Sequence, residues 1–197
     1  MIRIIPFDTL KPEEILNRDI RAEADVEATV DAIIADVRAR GDDALRDYAR
    51  EFDHAEIGDL RVSQAEIDEA FASVEPEFVR TLQMAADNIR AFHRQQVHKD
   101  ILFERAPGVL LGQKYTPIEK AGVYVPGGTA AYPSTVLMDV IPAKVAGVKQ
   151  IVMTTPTGPD GKVNPAILAA AVTAGIDLIF KTGGAQAVAA LAYGTES

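Results

Sequence analysis

The chain has 197 residues, 48% of them hydrophobic, no cysteine and a formal net charge of −9. This suits one domain or two small ones, and the missing thiols exclude disulfides, thiolate zinc sites and a cysteine nucleophile. The acidic balance carries no basic stripe, which argues against a nucleic-acid partner. No apolar run suffices to cross a bilayer, since residues 136–141 are interrupted by Asp139 and stop at Pro142. The opening MIRIIPFDTLKPEE is too short in its apolar stretch for a secretory signal, so the cytoplasm is the expected location.

Up to Pro117 charged amphipathic helices dominate. Val26, Val30, Ile33, Ile34 and Val37 recur at helical spacing and mark one buried stripe. Gly41 is the expected stop, and Asp42 or Asp43 can cap a second helix burying Leu45, Tyr48 and Phe52. Ser63 with Glu66 forms a capping box ahead of Ile67, Phe71 and Val74. A longer helix starts at Pro76 and buries Phe78, Leu82, Ala86 and Ile89, with His93 at its margin. Pro107-Gly108 then predicts a hairpin, with strands near residues 102–104 and 109–115.

Beyond Pro117 charge is sparse and strands alternate with helices. Strands are expected at 122–125, 151–155 and 178–180. Between them lie a buried helix over 134–146, kinked or short of a hydrogen bond at Pro142, and a helix with Asn164 as cap and Pro165 at its first position, ended by Gly175. Gly183-Gly184 opens a last helix to Tyr193, ended by Gly194. The fold class is therefore α/β: an N-terminal helical layer with a hairpin (1–118), then an incomplete Rossmann-like parallel sheet in β-α-β-α-β-α order (119–197). At least one edge of so small a sheet is expected to lie open.

Ligands of open parallel sheets bind beyond the carboxyl ends of the strands. Two glycine turns fall there. In the first, Gly127 and Gly128 would let a phosphate approach the backbone, and the helix start near Ser134 and Thr135 favours an anion. In the second, Gln186 sits in the first turn of the helix that follows Gly183-Gly184. Such glycines also serve tight strand-to-helix turns without any ligand. The G-x-G-x-x-G fingerprint is absent, and Thr154-Thr155-Pro156 supplies no carboxylate for a ribose. His93 and His98, five apart, fall on different sides of a helix and make no chelating pair. Tyr132 is either placed over a ligand or packed.

Residues 123–138 (VYVPGGTAAYPSTVLM), continued by IPAKVAG at 141–147, resemble the signature loop and helix of histidinol dehydrogenases. GGAQAVAALAYGTES at 183–197 is similar to the family's second glycine turn, and RGDDALRDY at 40–48 with Phe52-Asp53 to its N-terminal helices. The resemblance implies an aldehyde-dehydrogenase-like fold and the NAD-dependent oxidation of L-histidinol, through a bound aldehyde, to L-histidine. It implies NAD contacts at Tyr124 and Gln186, with Gly127, Gly128, Ser134 and Thr135 as further contacts. It also implies a zinc ion in the full-length enzyme and a homodimer with shared active sites. The family's zinc ligands and catalytic glutamate–histidine pair have no counterpart in this sequence, so the chain reads as an N-terminal part, inactive alone. The alternative is a non-catalytic nucleotide- or phosphate-binding module.

Overall fold

The computed structural model describes residues 20–127 and 131–197, with side chains from residue 25 onward. The segment read against a secretory signal, and Gly128, lie outside the described residues.

Helix α1 (Ile20–Arg40) runs to Gly41, whose φ of 54° ends it. Its buried face is narrower than the sequence stripe: Ile33 and Val37 are buried, Val30 and Ile34 are half-buried, and Val26 is exposed. Helix α2 (Asp42–Tyr48) continues into a five-residue π turn (Ala49–Asp53), closed by His54 in the left-handed region. The wider π turn rotates Phe52 off the buried face. It stacks on Tyr48 at 5.4 Å and stays exposed, instead of entering the core.

Helix α3 (Gln64–Ser73) starts at the expected capping box, with the Ser63 hydroxyl and amide and the Glu66 carboxylate satisfying one another. Phe71 on this helix stays partly exposed, while Ile67 and Val74 pack against the core. Helix α4 (Pro76–Arg94) opens on proline, which loses no helical hydrogen bond at that position. It buries Leu82 and Ala86 and half-buries Phe78 and Ile89. The hairpin follows as antiparallel β1 (Ile101–Ala106) and β2 (Val109–Gln113), both exposed throughout.

Strands β3 (Lys120–Tyr124), β4 (Gln150–Thr155) and β5 (Leu178–Lys181) form a parallel sheet in the order β3-β4-β5. Helices α5 (Pro133–Ala146) and α6 (Pro165–Ala174) make the crossovers, and α7 (Gly184–Tyr193) follows β5. Pro142 is held inside α5 without ending it. Val136, Leu137, Val140 and Ile141 of that helix are buried, while Met138 and Lys144 reach the surface, so it is less enclosed than its composition suggests. Asn164 caps α6 through its side chain, at 2.9 Å from the Ala166 amide.

Two apolar clusters flank the sheet. On one face Ile151 and Met153 of β4 meet α5 and α6, with α3 and α4 packed outside them. On the other face α7 packs on α1 and α2 through Ala189, Val37, Ala44 and Leu45. The crossover helices therefore change face between α6 and α7. The expectation of an open edge is met only in part. The extended segment 60–62 runs antiparallel along β5, with the Val62 amide donating to the Ile179 carbonyl (2.9 Å) and the Lys181 amide to the Leu60 carbonyl (2.7 Å). The first half of the chain thus supplies the strand that covers one edge, a long-range pairing that local pattern does not reveal. Among the described residues β3 pairs with β4 alone.

Candidate functional site

Both glycine turns converge on Pro156, at the carboxyl end of β4. A Cβ at Gly127 would lie 2.9 Å from the proline Cγ, and one at Gly183 would lie 2.9 Å from its Cβ. Those separations are closer than side chains tolerate. The two turns therefore need glycine to close on the proline ring, which makes packing one sufficient reason for them.

The alternation of β3 sorts the remaining residues by face. Val123 and Val125 belong to the cluster under α5 and α6. Gly122 faces Leu191 of α7, 2.8 Å from where a Cβ would stand, and Tyr124 shares that face two residues on. In the sheet register Tyr124 lies beside Thr154, and Thr154 beside Phe180. The Thr154 hydroxyl is buried with no hydrogen-bond partner. Tyr124 is 37% exposed at the sheet's end. Gln186, in the first turn of α7, is 3% exposed and folds back over Gly184, a residue with φ of 64° whose Cβ would meet the glutamine Oε1 at 2.7 Å. Tyr124, Thr154 and Gln186 thus share the α7 side of the sheet.

The anion site expected at the start of α5 is less open than its position suggests. Pro133 has no amide hydrogen, and the Thr135 amide donates to the Tyr132 carbonyl at 3.0 Å. Ser134 is exposed, Thr135 half-buried, and Tyr132 exposed at the helix's start. A cavity of about 410 Å³ opens on the opposite side of the sheet, where Gly127 and Ala131 meet Pro156, Thr157 and the side chains of Glu69 and Lys162. Sequence reading takes Glu69 as part of a solvated helix face and Thr157 as the start of a polar turn, and names neither of them nor Lys162 as a site residue. Helix α3 brings Glu69 to Lys162 from 93 positions away (2.7 Å), so no local spacing signals it.

One partly buried ion pair supports this end of the sheet. The Lys181 ammonium, on a side chain 10% exposed, donates to the Glu66 carboxylate at 3.0 Å. Burial pushes the Glu66 carboxyl up, but hydrogen bonds from the Ser63 amide and hydroxyl, with the Lys181 ammonium, hold it below its ordinary value. The histidines fall elsewhere. Helix α4 ends before His98, so His93 and His98 line one cavity near Tyr115 rather than opposite sides of a helix. His98 stacks on the Tyr115 ring, and the His93 Nδ1 pairs with the Gln96 Oε1. Among the described residues no group of three or more His, Cys, Asp or Glu could hold a metal ion, and no helix is long and apolar enough to cross a membrane.

The sequence and the fold resemble those of known proteins. A family model described as histidinol dehydrogenase matches residues 16–197. The histidinol dehydrogenase of Chlorobaculum tepidum is 52% identical over 190 residues, covering 96% of this chain and 44% of that protein. The one from Methanosarcina mazei is 53% identical over 175 residues, 88% of this chain and 40% of the relative. The crystal structure of histidinol dehydrogenase from Elizabethkingia anophelis superposes with a TM-score of 0.83 at 43% identity, over 87% of this chain and 40% of that one. The chain spans less than half the length of these relatives. On the family match across nearly all of its length, and on the shared fold, the chain belongs to the histidinol dehydrogenase family.

Proposed function

We propose that this chain is the N-terminal part of a histidinol dehydrogenase and forms part of its NAD site. The observation that carries the reading is the change of face between α6 and α7. A right-handed crossover from α7 to a further strand would set that strand beside β3, and the carboxyl end of β3 would then be the point where strand order reverses. Dinucleotides bind at such points. Tyr124 stands at that end, beside the unpaired Thr154 hydroxyl and on the same side as Gln186. These groups suit a ligand with a polar edge and an aromatic face.

Tyr124 and Gln186 would hold the cofactor, with Gly127, Gly128, Ser134 and Thr135 lining its path. NAD bound there supplies the hydride acceptor for oxidising L-histidinol through the aldehyde to L-histidine. The part of this chain is to bind and orient. Tyr124 offers a ring and a hydroxyl, and Gln186 offers a donor and an acceptor held in place by its seat on Gly184. The described residues do not fit the zinc ion of the whole enzyme, so no step is assigned through it to this chain. The chain alone is accordingly proposed to bind NAD without oxidising histidinol. The whole protein is proposed to be a cytoplasmic homodimer, and the boundary at 118/119 to mark where the covering helices give way to the nucleotide-binding sheet.

The test is a calorimetric titration of the 197-residue chain with NAD, together with Gln186→Ala and Tyr124→Ala. Binding that each variant weakens by about tenfold is expected. An unchanged affinity in both variants, or NADH formation from histidinol by the chain alone, would refute the assignment.

A further inference from the structure

The cavity beyond β4 lies across the sheet from Tyr124 and Gln186, yet it begins at the same glycine turn. Gly127 and Pro156 line it, and Pro156 also seats Gly183. A ligand running from the α7 side over the proline ridge would enter this cavity next. What the cavity can hold follows from its donors and charges.

An anion is poorly served there. Helix α6 begins at its rim, but the first-turn amides are already used. The Ala166 amide donates to the Asn164 side chain, those of Ile167 and Leu168 donate to the Asn164 carbonyl at 3.0 and 3.2 Å, and Pro165 has none. The carboxylates of Glu66, Glu69 and Asp160 line the wall, and Lys162 is the one lysine among the lining residues. Its ammonium is tied to Glu69 at 2.7 Å. A second observation is an unpaired hydroxyl in the wall. Thr157, 5% exposed and part of the lining, has a hydroxyl with no partner. A buried hydroxyl left unpaired is an energetic liability that a ligand hydroxyl can remove.

In dinucleotide-binding sheets a carboxylate at the end of the second strand receives the ribose hydroxyls of the adenosine half. Here β4 is the second strand of the parallel set and ends in Thr154-Thr155, followed by Pro156, without an acid. Helix α3, from outside the sheet, places the largely exposed Glu69 on the wall of the cavity that Thr155 and Pro156 also line. Resting on the NAD reading above, we propose that Glu69, positioned by Lys162, accepts the adenosine ribose hydroxyls and thereby selects a 2′-hydroxyl over a 2′-phosphate. The pair is poised for that choice. With Glu69 present, the cavity repels a phosphate. With Glu69 removed, Lys162 loses its hydrogen-bonded partner, with Glu66 and Asp160 still on the wall, and its ammonium can turn to the place where a 2′-phosphate would sit.

The experiment titrates NAD and NADP separately into the 197-residue chain and its Glu69→Ala, Glu69→Gln and Glu69→Ala/Lys162→Ala variants, with circular dichroism to confirm folding. The wild type should prefer NAD. Both single variants should bind NAD about tenfold more weakly and NADP more tightly, and the added Lys162→Ala should abolish the gain for NADP. Glu69 plays no such part if the NAD-to-NADP ratio is unchanged in the Glu69 variants while Gln186→Ala still weakens NAD. A wild type that binds neither nucleotide overturns the NAD reading itself, and this inference with it.

Discussion

Glu66 does three things with one carboxylate. It accepts from the Ser63 amide and hydroxyl at the start of α3, and from the Lys181 ammonium at the end of β5. Its carboxyl is held below the ordinary value of 4.5. A depressed carboxyl contributes stability that is fully present above the unfolded-state value and is lost as pH falls through the folded-state value. The wild type should therefore exceed Glu66→Gln by about 1 kcal/mol at pH 7, as helix caps do. In urea unfolding that margin should shrink steadily as pH drops below 4.5. A margin that stayed constant down to acid pH would show that the charge of Glu66 is irrelevant. The capping box was legible in the sequence because Ser63 and Glu66 are three apart. The partner Lys181, 115 positions away, was not.

Among the elements the hairpin stands out, because β1 and β2 pack mainly on each other among the described residues. In their register Phe103 faces Leu111, and Leu102 and Leu110 lie on the opposite face, so apolar side chains project from both. Leu102 is 68% exposed. Such side chains add little to the chain's own stability. Leu102→Thr with Leu110→Thr should change it by no more than about 0.5 kcal/mol, while lowering the fluorescence of a bound hydrophobic dye. A loss of several degrees in melting temperature would mean that the hairpin is buried in solution. Proline and glycine punctuation gave this hairpin to within two residues at each strand end. Nothing in its alternation said that both faces would stay bare, since exposure depends on what packs nearby.

At the scale of the whole molecule the two halves share their cores. Leu82 and Ala86 of α4 join the cluster that holds Ile151 and Ile167, and α1 and α2 cover α7. The segment 60–62 then ties the helical half to the sheet through β5. Removing one of those hydrogen bonds with Val62→Pro should cost about 1–3 kcal/mol and leave a single unfolding transition when circular dichroism and tyrosine fluorescence are followed together. Two separated transitions would mean that the halves fold independently.

The sequence by itself determined what is local. The caps at Ser63 and Asn164, the glycine stops at Gly41, Gly175 and Gly194, the β-α-β-α-β-α order and the two glycine turns all follow from backbone chemistry within a few residues. The motifs that carried the family resemblance are local in the same sense. Only the tertiary structure decided which faces were buried, as with Val26 and Phe52, and which distant segments met. It set residues 60–62 on β5 and Lys181 on Glu66. It put Tyr124 and Gln186 on one side of the sheet, and Glu69 beside Lys162 on the other. These depend on chain packing over tens of residues, where loop closure and handed crossovers choose the partner and local pattern has no influence.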